Sequence, residues 1–297
     1  MLQQFIFDKI ISSSKQNNFK YKLLLAARKY LLKCGESTIN YRYKEFDLTL
    51  PFSHDFPINF KAIPSYSQNL GVLAKVVSQK YSNLKIIDVG ANVGDSVAII
   101  QHRVKTPILC IEGNPKFIPL LEKNVAQFSD IEIEKCFLGE GSEKVSPVNN
   151  LGTAYLQKSD DGIEVKTLSE VLEKHRDFKN AKLLKIDTDG FDNKIIRGAT
   201  SFLDESKALV FFEYDPFYLA KQNENGLSIF ELFETLGYTK LLLYDNLGLY
   251  ITTLSTSDKG QLKNFHNYYN QGGSKYLDIC ALHQSDEDLQ ELIVKTC

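Results

Sequence analysis

Carboxylates at the ends of apolar runs are the residues best placed to do chemistry in this chain. The first lies in Lys85-Ile86-Ile87-Asp88-Val89-Gly90-Ala91-Asn92-Val93-Gly94. Ile86 and Ile87 supply a buried strand, and Gly90 and Gly94 let the backbone turn tightly and approach a ligand as no residue with a Cβ could. The spacing Asp-x-Gly-x-x-x-Gly differs from the Gly-x-Gly-x-x-Gly of dinucleotide folds, and no Gly-Lys-Ser/Thr follows to make a phosphate loop. An acid at this strand end suits a cationic group, such as an ammonium or a sulfonium, better than a pyrophosphate, which favours S-adenosylmethionine over NAD. Glu112 closes a second apolar run, Ile108-Leu109-Cys110-Ile111, where a carboxylate accepts hydrogen bonds from an adenosine ribose in nucleotide-binding α/β folds.

The same strand-then-acid pattern returns in Lys185-Ile186-Asp187-Thr188-Asp189-Gly190-Phe191-Asp192 and in Phe211-Phe212-Glu213-Tyr214-Asp215-Pro216. Ligands of open α/β sheets bind at the carboxyl edge of the strands, so Asp88, Glu112, Asp187 and Glu213 are expected to face one crevice. Carboxylates crowded there repel one another and acquire raised pKa values useful to a base, with Asp187 the first candidate and Glu213 the second. Asp189 and Asp192 suit helix capping equally well. Three acids could also hold a divalent cation, but no histidine accompanies them and no metal site is assigned. The five histidines share no metal-ligand spacing and receive no catalytic role; His54 reads as a surface-loop residue near the mouth of the crevice.

These strand ends need a scaffold, and the sequence alternates accordingly. Strands are expected over 85–89, 107–112, 131–137, 182–187, 208–213 and 239–244, with helices over 94–103, 115–127, 168–176, 191–199 and 227–236 between them. A doubly wound parallel sheet follows. Residues 139–162 read as a loop or short strands, and the tail as a short strand near 249–253, a helix, the strand Tyr276 to Leu282 and a final acidic helix. The division expected is an appendage of N-terminal helices and a β-hairpin over 1–80, followed by a ligand-binding domain over 81–297.

Composition narrows the class. With 297 residues, 43% of them hydrophobic and 24% charged, the chain can bury a large core and is neither fibrous nor disordered. A net charge of −2 argues against a nucleic-acid partner. Five scattered cysteines without a Cys-x-x-Cys pair read as reduced thiols, and with no signal-peptide core the expected location is cytoplasmic. Residues 1–34 stand apart, with seven basic residues against the single acid Asp8. Phe19, Leu23, Ala27, Tyr30 and Leu31 recur there at helical spacing. Such a helix either packs on the domain or touches anionic lipid at the inner face of a membrane.

Taken together, Ile87 to Gly94, Ile111-Glu112-Gly113-Asn114-Pro115, Lys166-Thr167-Leu168, Leu184 to Asp187 with Gly190, and Phe212-Glu213 resemble the FkbM-like family of S-adenosylmethionine-dependent methyltransferases. Tyr66-Ser67-Gln68-Asn69-Leu70-Gly71 is similar to a segment found before the glycine loop in members from bacterial polysaccharide loci. The resemblance implies the class I methyltransferase fold, a Rossmann-like α/β architecture of seven mostly parallel strands with an antiparallel last strand. It places Asp88, Gly90, Asn92 and Gly94 at the methionine end of S-adenosylmethionine, Glu112 at its ribose, and Phe137 and Leu138 at its adenine. The chain departs from the family pattern at Asp189 and Asp192, which replace glutamates, and at Ser169, which replaces an aspartate. Asp189, Asp192 and Tyr214 are the candidates for contact with the acceptor. The activity implied is O-methylation of a sugar hydroxyl, in a cell-surface polysaccharide or its lipid-linked precursor, with S-adenosylhomocysteine as the product. The alternatives are a catalytically silent module that keeps this fold for binding or scaffolding and, more distantly, an NAD-dependent oxidoreductase.

Overall fold

The structure is a computed structural model that describes all residues except 14–17, 142–143, 151–152, 160, 189, 222, 273–274 and 297, and describes only the backbone of 147–150, 153–158 and 221. The chain opens with α1 (Leu2–Ser12) and α2 (Phe19–Lys33), then the hairpin β1 (Thr38–Tyr43) and β2 (Phe46–Pro51), then α3 (Phe56–Ala62) and α4 (Gln68–Lys80). Strand and helix next alternate through β3 (Ile86–Val89), α5 (Asp95–Arg103), β4 (Ile108–Ile111), α6 (Ile118–Val125) and β5 (Ile131–Glu134). A small antiparallel sheet of β6 (Lys144–Asn150), β7 (Thr153–Lys158) and β8 (Ile163–Glu164) interrupts the alternation, with β6 and β7 inside the stretch 139–162 expected to hold a loop or short strands and β8 just beyond it. It resumes with α7 (Leu168–Lys174), β9 (Leu183–Ile186), α8 (Asp192–Gly198), α9 (Thr200–Ser206), β10 (Leu209–Tyr214), α10 (Pro216–Lys221) and α11 (Ser228–Thr235). The tail is β11 (Tyr238–Asp245), β12 (Tyr250–Ser255), α12 (Lys259–Tyr269), β13 (Leu277–His283) and α13 (Leu289–Thr296).

The main sheet runs β12-β11-β13-β10-β9-β3-β4-β5. Pairs among β10, β9, β3, β4 and β5 are parallel, and β13 is antiparallel to both of its neighbours. This is the class I methyltransferase arrangement expected, with one correction: β12 extends the sheet to eight strands instead of seven. Side chains alternate between the faces, as the twofold period of a strand requires. Ile87, Leu184 and Phe212 enter one core, and Ile86, Leu183 and Phe211 the other, which α4, α5 and α13 help to cover. Parity therefore turns Asp88 and Lys185, register partners on β3 and β9, to the same face.

The first 80 residues do not form a separate unit. Leu70, Leu73, Val76 and Val77 of α4 belong to the sheet core, so that helix is part of the main domain. The hairpin shares a third core with Val93, Ala98, Ile99 and Phe117. Asn124 pins it by accepting from Thr49 N at 2.7 Å and donating to Thr49 O at 2.9 Å. In α2, Phe19, Leu23 and Tyr30 lie on the outer surface, whereas Leu31 packs inward. Among the described residues no helix is long and apolar enough to cross a membrane.

Candidate active site

The carboxyl ends of β3, β4, β9 and β10 open into one cavity of about 420 Å³. Gly90 forms its floor. Its φ is +72°, and a Cβ there would lie 2.0 Å from the carbonyl oxygen of Asp187, so only glycine lets the end of β9 pass over the turn. At the end of β4 Glu112 is buried, with one carboxylate oxygen accepting from Asn92 N at 2.9 Å and the other from Asn114 N at 2.7 Å. Burial raises its pKa against the pull of those two amides. Phe137 lies against Gly113 so closely that a Cβ at 113 would enter its ring, and with Leu138 it walls the same end of the cavity.

Asp187 presents its carboxylate to the other end, with 55% of its side chain open to the cavity. That opening is a recess enclosed by protein, and the enclosure raises the pKa of Asp187; Lys185 opposes the rise, and Asp95 and Asp88 add to it. Glu213 lines the wall opposite Asp278, its cross-strand partner on β13. Asp278 accepts from Asn69 Nδ2 at 3.3 Å and has its pKa pushed up to about 7, by burial first and then by the charge of Asp187. Among the described residues no three His, Cys, Asp or Glu side chains are grouped to hold a metal ion.

Gly90, Asn92, Glu112, Phe137, Leu138, Asp187 and Glu213 thus meet at one cavity, while four other candidates do not line it. Asp88 does not line the cavity. It is fully buried, with one oxygen 2.9 Å from Lys185 Nζ and the other accepting from Ser96 Oγ at 2.5 Å. Lys185 in turn donates to Gly90 O at 2.9 Å and stands 3.8 Å from Asp187, so the pair ties the glycine turn to the end of β9. Burial works against the charged form of Lys185, yet Asp88 and Asp187 hold its pKa above the ordinary lysine range. Gly94 is a packing glycine: its missing Cβ leaves room for Leu121 and Val125 of α6. Tyr214 points into the core beside Phe212 and Phe230, and its hydroxyl meets His266 Nδ1 at 2.8 Å. Asp189 lies outside the described residues.

Asp192 also turns inward, where one oxygen accepts from Thr188 Oγ1 and Gly190 N, both at 3.2 Å. Burial, helped by the charge of Asp187, pushes its pKa up to about 7. Because an unfolded aspartate titrates near ~3.9, the folded state keeps this proton over a range where the unfolded chain loses it. Its contribution to stability is full below ~3.9 and is lost as pH rises through about 7. Melting temperature should therefore fall over that interval, and Asp192→Asn should remove most of the corresponding loss of stability, about 4 kcal/mol over an interval of about three pH units. A pH profile that this substitution leaves unchanged would contradict the buried-acid reading.

His54 lies at the cavity, as expected of a residue near the mouth of the crevice, but it is not a surface residue. It lines the cavity with its side chain 10% exposed; its Nδ1 accepts from Phe56 N at 3.4 Å and its Nε2 stands 3.9 Å from Asp95. Tyr66 and Asn69, in the segment noted before the glycine loop, line it too, as do Tyr276 and Asp278. Burial pushes the pKa of Tyr66 up to about 12, leaving its phenol a neutral hydrogen-bonding group.

No curated protein matches the chain. Among solved structures, a methyltransferase FkbM from Methylobacillus flagellatus KT is 20% identical over 50% of this chain and 37% of its own, with a TM-score of 0.35. A precorrin-6y C5,15-methyltransferase from Geobacter metallireducens GS-15 is 12% identical over 72% and 87%, at 0.40. An O-methyltransferase from Bacillus cereus, in complex with SAH, is 10% identical over 71% and 80%, at 0.35. A family model described as the methyltransferase FkbM domain matches residues 88–240, just over half of the chain, from Asp88 through Glu112, Asp187 and Glu213. This chain therefore belongs to the FkbM methyltransferase family and is an S-adenosylmethionine-dependent methyltransferase.

Proposed function

We infer that the reaction is O-methylation of a sugar hydroxyl in a cell-surface polysaccharide or its lipid-linked precursor, with Asp187 as the base. The observation that carries this reading is the open carboxylate of Asp187, in the same cavity as the glycine turn and Glu112. The donor's fit rests on polar atoms of that wall. The Oδ1 of Asn92 is buried without a hydrogen-bond partner and suits an ammonium or hydroxyl donor. The two oxygens of Glu112 each accept one amide and retain a lone pair for a ribose hydroxyl. Phe137 and Leu138 give adenine an apolar wall.

Bound S-adenosylmethionine would supply a methyl group activated by its sulfonium charge. The protein's part is to hold the acceptor oxygen in line with that methyl, worth up to about 7–11 kcal/mol, and to take the hydroxyl proton. Asp187 receives that proton, with Lys185 steadying its carboxylate from 3.8 Å. Glu213 is the second candidate base, on the same wall.

The test is transfer of a labelled methyl group to sugars or lipid-linked sugars from the source organism's surface polysaccharide. Asp187→Asn should leave donor affinity within a few-fold and lower turnover by about 10² or more. Because its pKa is raised, the acid limb of the rate profile should lie above the ordinary carboxylate range. Full activity in Asp187→Asn would refute the assignment of the base, and loss of donor binding would make Asp187 a binding residue.

A further inference from the structure

We propose that α1 and α2 form a docking surface for a bilayer rich in anionic phospholipid. Half of the twelve large hydrophobic side chains exposed among the described residues are Met1, Leu2, Phe5, Phe19, Leu23 and Tyr30. Such a concentration in one short segment marks an interaction surface, because exposed apolar side chains are ordinarily scattered singly. On α2 the exposed residues Phe19, Leu23, Ala26 and Tyr30 fall at i, i+4, i+7 and i+11, a single stripe along the helix. Their exposure is 83% for Phe19, 59% for Leu23 and 68% for Tyr30, so little of the protein's own surface covers them.

Charge selects the occupant. Lys20, Lys22, Lys29 and Lys33 are all exposed on the same helix, which contains no acid. Helical geometry sets Lys22, Lys29 and Lys33 along one flank of the stripe and Lys20 on the other. On α1, Lys9 lies over the Phe5 ring at 5.3 Å, so a cation again borders an exposed aromatic ring. An apolar stripe edged by lysines matches the boundary between acyl chains and negatively charged headgroups. A second copy of the chain would bring the same lysines against one another.

The inner side of α2 is anchored, which makes the outer side a rigid platform. Arg28 pairs with Asp55 at 2.7 Å and donates through Nε to Phe52 O at 3.1 Å. The segment Ser53 to Phe56 that it holds forms part of the cavity wall. A helix seated on a membrane would therefore keep the cavity near lipid-linked molecules, although docking itself does not depend on the proposed acceptor.

The experiment is flotation of the full chain with vesicles of phosphatidylcholine alone or mixed with phosphatidylglycerol. The chain should float with the mixed vesicles at about 0.01 M salt, where the screening length is about 30 Å, and bind roughly tenfold or more weakly at about 0.15 M, where it is about 8 Å. The triple variant Phe19→Ser, Leu23→Ser, Tyr30→Ser should lose about tenfold or more of that binding, with circular dichroism and donor affinity unchanged. Replacing Lys20, Lys22, Lys29 and Lys33 by Gln should abolish the preference for phosphatidylglycerol. The proposal is overturned if the protein ignores mixed vesicles at low salt, or if the triple variant binds them as the wild type does. It is equally overturned if the wild type sediments as a dimer that the triple variant dissolves while neither binds vesicles. Methyl transfer to a water-soluble sugar, measured on the same variants, reports the enzymatic reading separately.

Discussion

Gly90→Ala is expected to collapse the site and destabilise the fold by several kcal/mol. Two costs combine. A φ of +72° is strained for alanine by about 1–2 kcal/mol, and the added Cβ would stand 2.0 Å from the carbonyl oxygen of Asp187, a backbone atom held in place by the hydrogen bond from Asp187 N to Val89 O. Relief requires β9 to separate from β3 where both meet the ligand. Donor binding should be lost, and the urea midpoint should fall. Gly260→Ala is the control: it lies in the first turn of α12, where the nearest atom to a new Cβ is a side-chain oxygen of Asp258 at 3.8 Å. That change should be neutral or stabilise by up to about 1 kcal/mol. Equal effects at the two positions would contradict the account of the turn.

Lys185→Met should cost about 3–5 kcal/mol in urea unfolding, because it leaves Asp88 as an unpaired charge with no exposed surface. The carbonyl of Gly90 also loses its donor, so the turn loosens with the core. Replacing both partners, as Lys185→Met with Asp88→Leu, should recover more than half of that loss, since a well-packed apolar pair desolvates no charge. A single variant as stable as the wild type would remove the ion pair from the account.

The strand-then-acid pattern was readable because β3, β4, β9 and β10 are buried on both faces, which leaves near-continuous apolar runs that end where chemistry begins. What lay beyond it was side-chain pairing between distant strands. Asp88 looks free for a ligand until Lys185 is seen beside it in register; the visible signal was a lone cation inside an apolar strand, which must find a buried anion. Tyr214 shares the parity of Phe212, so the twofold period of β10 already turned it toward the core. His54 was illegible as a buried residue for a different reason. Its loop reads as surface until the hairpin packs on α5 and carries it beside Asp95, a contact that no local pattern encodes. α9 and α10, each of 6 or 7 residues, were missed because so short a helix shows less than two turns of period. Asp278 enters the cavity only through the antiparallel return of β13.

If the cavity between the glycine turn and Glu112 holds the methyl donor, the demethylated product should occupy the same place. Titration calorimetry of the intact protein with S-adenosylhomocysteine tests it most directly, with Glu112→Ala measured beside the wild type and the fold of both checked by melting. Saturable binding is expected at one site per chain, weakened in Glu112→Ala by about 1.5–3 kcal/mol, the range for hydrogen bonds to a charged group. Absence of binding by the wild type, or equal affinity in the folded Glu112→Ala variant, would contradict it.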